Sequence, residues 1–491
     1  MSQVLFQILA LLFIFVETTS AHPNKPRLSI LNGKSVTNPL TTDFEFHNYT
    51  QTLDHFNYKP ESYTTFQQRY LVISKYWGGV NTSSPIFVYM GAEIDVITEA
   101  LVSGFFQVLG SQFNGLLVYI EHRYYGTSMP FGSKDKAYKD ANSLGFFTSE
   151  QALADYAQLM VDYKRNLSAE NCPIIVVGGS YGGMLASWFR LKYPHIAYGA
   201  LAVSAPILYF EGLTPENGYA VVVSKDFNST SKSCYKSIRE SWFEIDKVAA
   251  QHNGLLNLSQ IFNTCLPLNT SQELKDSLEG RYDLMAQYDN MMDNFLHKFC
   301  TACDAAGNET YILDKITAGF NAAFGKRCIG VSDDGLDKDF GWDWQVDTST
   351  TTTKEAQSCT EMVMPMGNGE NDTMFQAKPF DMANFTKECK EVFGVTPRPY
   401  WAPIEFGGHD IKNVLGKFAS NIIFSNGLRD PYSSGGVLQN ISDTVIAVYS
   451  EQGHHCSDLQ TPTNSDPEWL TAQRMTEIKV IEGWLAAYPH P

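Results

Sequence analysis

The chain has 491 residues, 44% of them hydrophobic and 18% charged, enough for a large core with an insertion or for two domains. Its 36 Lys and Arg against 53 Asp and Glu leave a net charge of −17. Such a surface repels phosphate backbones and anionic lipid, which sets nucleic acid aside as a partner.

Residues 1–21 read as a secretory signal. An apolar run from Val4 to Val16, too short to span a bilayer, precedes small residues ending at Ala21, although Met1-Ser-Gln brings no Lys or Arg. Residues 22–43, polar and rich in Pro, Asn and Thr, are expected to be a propeptide, as in a zymogen, or a disordered arm. No later stretch reaches the ~20 apolar residues of a spanning helix, so no membrane span is expected. Asn-x-Ser/Thr sequons at Asn48, Asn81, Asn166, Asn228, Asn257, Asn269, Asn308, Asn371, Asn384 and Asn440 agree with export and predict surface positions that take glycans.

Short apolar runs then alternate with helical patterns. Strands are expected at 69–73, 85–90, 116–120, 173–177 and 199–203, and helices at 148–165 and 181–193. Apolar strands between helices indicate a parallel sheet covered on both faces. The grammar changes at about residue 206. From there to 400 the chain is helical, polar, and rich in cysteine and sequons, with a polar Thr tract at 348–353. Strands return at 421–424 and 444–448, and a closing helix is expected at 467–487. The expected organisation is an α/β sheet in two parts, 44–205 and 401–491, interrupted by a helical cap at 206–400. Of nine cysteines, seven lie between 234 and 389. In an oxidising compartment that clustering reads as a disulfide-stapled segment. Cys300-Thr-Ala-Cys303 has CxxC spacing but no second CxxC or His pair, so disulfides are expected there rather than zinc.

The chemistry concentrates in Gly178-Gly-Ser180-Tyr-Gly182, a G-x-S-x-G where an apolar strand meets a helix. A nucleophile on such a strained turn needs small residues two before and two after it, which Gly178 and Gly182 supply. The helix N-terminus then aims the Tyr181 amide at a developing oxyanion. Gly91 and Ala92, after the strand that supplies a second amide in α/β-hydrolases, are the other candidates for the oxyanion hole. A serine hydroxyl needs a base, and in this fold the partners follow in the order Ser, Asp, His after later strands. Asp430, in a Gly/Pro-rich loop past 421–424, and the pair His454-His455, past 444–448, supply that order. Spacing alone does not separate the two histidines. Adjacent histidines chelate poorly, so no metal is expected, and triad chemistry needs no cofactor.

At this point the sequence resembles the family of lysosomal prolylcarboxypeptidase and dipeptidyl peptidase II, serine exopeptidases. The matching runs are TQTLDHFN at 50–57, TFQQRY at 65–70, EHRYYG at 121–126, GGSYGGML at 178–185, CTEMVMP at 359–365, SNGLRDP at 425–431 and GHH at 453–455. The resemblance implies an α/β-hydrolase sheet with a disulfide-bonded helical cap, and a triad of Ser180, Asp430 and the first histidine, His454, with His455 as a neighbour of the site. It also implies disulfides Cys359–Cys389 and Cys265–Cys328, and Cys234 with Cys300 or Cys303; Cys172 and Cys456 are left without assigned partners. Three departures stand near the pocket: Asp430-Pro-Tyr432 for Asp-Pro-Trp, Gly91-Ala-Glu93 for Gly-Asn-Glu, and one extra residue between His454 and the acid Asp458. Glu93 binds a substrate terminus or caps a helix. Met184 packs in the core or lines a proline-sized pocket. Tyr432 and His455 complete the candidate substrate contacts. Glu121-His-Arg-Tyr-Tyr125 reads as a structural brace in preference to a catalytic group.

The activity so implied is lysosomal or secreted hydrolysis of proline-containing peptides: release of the C-terminal residue after proline, or alternatively of an N-terminal dipeptide ending in proline. An esterase or lipase on the same scaffold and a silent binding ectodomain are the rival readings. The sequence leaves a homodimer open.

Overall fold

The computed structural model describes residues 43–289, 294–307, 309–330, 346–347, 359–369 and 371–489. The signal at 1–21, the arm at 22–42, the Thr tract at 348–353 and the Asn308 sequon lie outside the described residues. Eight strands form one sheet: β1 (Glu45–Thr52), β2 (Thr65–Ile73), β3 (Ile86–Met90), β4 (Leu116–Ile120), β5 (Ile174–Gly179), β6 (Gly199–Val203), β7 (Ile422–Gly427) and β8 (Val445–Ser450). Their order is β1-β2-β4-β3-β5-β6-β7-β8. The β1–β2 and β2–β4 pairs are antiparallel and every later pair is parallel.

Strands β3 to β6 are buried at every residue, as two-sided cover requires. Successive side chains alternate between two cores. Val88, Val118, Val176 and Phe424 join one face, under helices Ser149–Asn166 and Tyr181–Lys192. Tyr89, Tyr119, Val177 and Ile423 join the other, with Phe106 of helix Gly104–Phe113 and Trp484 of helix Glu468–Ala487. Strand β1 has no hydrophobic signature because EFHNYTQT at the sheet edge is half exposed and has no apolar run. It is specified by its pairing with β2.

Between β6 and β7 the chain leaves the sheet. Helices Gly218–Thr230, Lys232–Ala249, Ser271–Gln287, Phe295–Ala305 and Ile312–Phe324 follow one another there. Tyr282 centres their packing, edge-on to Phe227, Phe299 and Trp242. Three disulfides staple this segment: Cys234–Cys300, Cys265–Cys328 and Cys359–Cys389. Cys300 is the partner of Cys234, while the Cys303 thiol is directed at the Lys315 carbonyl at 3.2 Å. Burial pushes that thiol up to about 12. Cys172, Cys303 and Cys456 are unbridged and buried. The nine sequon asparagines among the described residues are all exposed.

Several carboxyl groups are wholly inside. Burial, the leading cause, pushes Glu99, Asp283, Glu361 and Glu477 well above the ordinary carboxyl range, and a neighbouring acid adds to it in each case: Glu93, Glu279, Glu150 and Asp458 in turn. A carboxyl whose folded-state pKa is raised binds its proton more tightly in the native than in the unfolded chain. Its stabilising effect is complete below the unfolded value of about 4 and is lost as pH rises towards the folded value. Thermal unfolding followed by calorimetry is therefore expected to give a higher midpoint at pH 5 than at pH 8.

Candidate active site

The parallel strands end at one edge of the sheet, and the site is built on the loops that leave β3, β5, β7 and β8 there. The turn after β5 comes first. Ser180 has φ 59° and ψ −123°, a conformation non-glycine residues adopt only when their surroundings force it. Its N–H donates to Val203 O at 2.8 Å and its carbonyl accepts from Met184 N at 2.9 Å. The space around this turn explains its glycines. A Cβ at Gly178 would lie 2.1 Å from Gly182 O, and one at Gly182 would lie 2.6 Å from Met90 O. Backbone passes where side chains would stand.

Asp430 follows β7 and is fully buried. Its Oδ1 accepts from Tyr432 N at 3.0 Å, and its Oδ2 lies 2.7 Å from Nδ1 of His455. The opposite ring nitrogen of His455, Nε2, lies 2.9 Å from Ser180 Oγ. With Nδ1 donating to the carboxyl of Asp430, Nε2 is the nitrogen that accepts from the serine. Burial depresses the imidazole, but the charge and hydrogen bond of Asp430, with Cys456 beside it, outweigh that and hold it well above the usual histidine value. The effect is a stronger base facing the hydroxyl.

His454 is not the residue in this place, contrary to the expectation from the family pattern. Its Nδ1 donates to Ala286 O at 2.9 Å, and its Nε2 lies 3.9 Å from Asp289 Oδ2. Burial, then the charge of Arg429, pulls it down to about 3, so it stays neutral and is a poor base. His455 in turn is no mere neighbour. The signal was the extra residue before Asp458: counted back from that acid, the family's first histidine falls on His455.

The expected oxyanion pair also needs correction. Gly91 N–H donates to Ile120 O at 3.1 Å, and Ala92 N–H donates to the buried Glu99 carboxyl at 2.8 Å. Both amides are engaged. Tyr181 opens the helix after Ser180, with its hydroxyl 3.2 Å from His122 Nε2. Of the other candidates, Met184 is buried on the nucleophile helix and Glu93 is buried in the loop after β3. The Tyr432 ring lies 5.6 Å from the His455 ring. Glu121 braces the turn that follows β4: it accepts from Val96 N, Thr127 N and Ser128 N and pairs with Arg69. Arg123 pairs with Asp155 in full burial, and both groups serve as structure.

Three residues of the inserted segment reach the site without a sequence signal. Gln287 O accepts from His455 N at 3.1 Å, and the Tyr288 ring stands edge-on to the His455 ring at 5.7 Å. Tyr219 donates its hydroxyl to Gln287 Oε1 at 2.9 Å. Ser180, Asp430 and His455 are fully buried.

The family model described as serine carboxypeptidase S28 matches residues 51–477. The chain belongs to that family. It is 35% identical to the lysosomal Pro-X carboxypeptidase of Homo sapiens, over 97% of each chain, and 34% identical to that of Bos taurus, over 98% of this chain and 97% of the other. The thymus-specific serine protease of Homo sapiens is 26% identical, over 89% of this chain and 85% of its own. Among solved structures, a peroxisomal α/β-hydrolase from Saccharomyces cerevisiae aligns over 92% of each chain at 9% identity and a TM-score of 0.37.

For an S28 peptidase with this geometry, Ser180→Ala and His455→Ala are each expected to lower kcat about a million-fold, the scale of losing a triad member, and to abolish labelling by a fluorophosphonate probe. His454→Ala is expected to keep labelling while losing about 1–3 kcal/mol of stability with its bond to Ala286. Gly178→Ala is expected to cost about 1–3 kcal/mol or more by overpacking, read in urea unfolding.

Proposed function

We propose that this chain is a serine exopeptidase that releases the C-terminal residue following proline, working in the lysosome. The observation that carries the reading is the unbroken series Ser180 Oγ, His455 Nε2, His455 Nδ1 and Asp430 Oδ2, with contacts of 2.9 and 2.7 Å. Ser180 Oγ attacks the prolyl carbonyl carbon while its proton passes to His455 Nε2. The oxygen that gains charge faces the Tyr181 amide at the helix N-terminus. Asp430 holds the imidazolium as the C–N bond breaks, and His455 returns the proton to the departing amine. A water, deprotonated by the same nitrogen, then cleaves the acyl ester and frees Ser180.

Two features support the specificity. The relatives of Homo sapiens and Bos taurus bear the name Pro-X carboxypeptidase. The imidazole is walled by the Tyr288 and Tyr432 rings, with Tyr219 5.0 Å from Tyr432, and flat aromatic faces suit a compact pyrrolidine. Glu93, Met184 and Tyr432 are the residues of the chain assigned to the pocket. Export, sequon glycosylation and disulfides all belong to the same lysosomal route.

Two peptides decide the reading by mass spectrometry, one with only a Pro–X C-terminus and one with only an X–Pro N-terminus. Shortening of the first by one residue is the expected result. Release of a dipeptide from the second would reassign the chain to N-terminal trimming, and hydrolysis of simple esters alone would make it an esterase.

A further inference from the structure

The turn that carries His455 is fastened from below by two acids that the mechanism does not use. Asp458 lies three residues past His455, in a one-turn helix at Ser457–Leu459. Glu477 projects from helix Glu468–Ala487. Both are buried. Their meeting point is Ser425 in β7, whose Oγ lies 2.5 Å from Asp458 Oδ2 and 2.7 Å from Glu477 Oε1. Gln473 Nε2 donates to the same oxygen at 2.8 Å.

A hydroxyl has one hydrogen to give. With Gln473 donating to it, Ser425 can donate to one carboxyl only, and the other carboxyl must donate to Ser425. At least one of the two acids therefore holds a proton. The surroundings point the same way. The second oxygen of Glu477 has no hydrogen-bond partner among the described residues, and a buried carboxylate with an unsatisfied oxygen is costly. Helix Gly104–Phe113, which packs on the turn, carries no charged residue, and neither does β7. Among the described residues the cation beside the pair is Arg474, whose guanidinium bonds the carbonyls of Ser457, Asp458 and Gln460 and the carboxyl of Asp466. The Cys456 thiol is the remaining titratable group on the turn besides the histidines.

We propose that Asp458 and Glu477 are positioning residues that share one proton through Ser425, and that this proton holds the His455 turn in register with Ser180 and Asp430. Loss of the proton places two negative charges around one hydroxyl in a dry site. Their repulsion parts the turn from the closing helix and moves the imbedded imidazole off the serine before the whole chain unfolds. The catalytic geometry is then a property of the acidic form of the protein. The proposal rests on His455 as the base facing Ser180, and it adds what keeps it there.

The experiment follows fluorophosphonate labelling of the full chain across pH 5 to 9, each protein normalised to its own maximum, together with the thermal midpoint at pH 5 and pH 8. Glu477→Gln and Asp458→Asn each remove the need for the proton. Either is expected to move the alkaline loss of labelling upward by about one pH unit or more and to shrink the fall in midpoint between pH 5 and pH 8. Glu361→Gln neutralises a buried carboxyl remote from the turn. It is expected to shrink the fall in midpoint while leaving the labelling curve in place. Identical labelling curves for wild type and both turn variants overturn the proposal, as does an equal shift in Glu361→Gln, which would make the loss global. If wild type is not labelled at any pH, the hydrolase reading fails. The pair is then judged by the midpoints alone, where an unchanged fall in Glu477→Gln and Asp458→Asn overturns it.

Discussion

The site depends on a backbone conformation that is unfavourable by itself. Ser180 sits at φ 59° because β5 arrives from one side, the helix Tyr181–Lys192 leaves on the other, and Val203 O grips the Ser180 amide from the neighbouring strand. A residue so strained costs of order 1–3 kcal/mol. That cost is met by the two cores on either face of the sheet, which fix both ends of the turn. The glycines around it are needed for the same reason, since Gly182 and Gly178 bring backbones within a distance no Cβ would allow. The serine is exposed to its partners because the turn has no freedom to hide it.

The remaining two groups come from far along the chain, yet they meet the serine because the last two strands of the sheet, β7 and β8, both run parallel to β5 and β6. Parallel strands release their loops at the same edge, so Asp430 and the histidine pair arrive where Ser180 already stands. Which histidine turns inward is decided by the inserted segment. The carbonyl of Ala286 takes the His454 ring and the carbonyl of Gln287 takes the His455 amide. Two consecutive residues of one helix end thus sort two consecutive histidines, one into a neutral structural bond and the other towards Asp430. The cap acts on chemistry here as well as on access.

This sorting marks the limit of what the sequence could disclose. The sheet was legible because its buried strands are apolar throughout and its nucleophile turn has a glycine pattern with a steric cause. The order Ser180, then Asp430, then a histidine was legible because the fold imposes it. Strand β1 was not, since an edge strand with alternating exposed polar residues has no hydrophobic signature. The choice of His455 over His454 was not legible, because it depends on carbonyls 168 residues away. The engagement of the Gly91 and Ala92 amides escaped for a similar reason. Glu99 reaches back seven residues to Ala92, and nothing in its local sequence announces a buried carboxyl. Cys300 and Cys303 lie on one helix face by spacing alone, and only the neighbouring helices distinguish them.

The buried acids give the net charge of −17 a meaning that composition does not supply. Acidity on a surface favours solubility and costs little, but Glu99, Asp283, Glu361 and Glu477 are inside, away from water, and each is beside another acid. In a neutral compartment such groups would either ionise against one another or extract a penalty for remaining protonated. In an acidic one their raised proton affinity favours the neutral form, which costs less to bury. The interior of this chain is therefore matched to acid in the same way that its disulfides are matched to an oxidising environment. Both adaptations converge on the catalytic edge. The cap that orders the histidines is held by disulfides, and the turn beneath them ends on an acid pair sharing a serine.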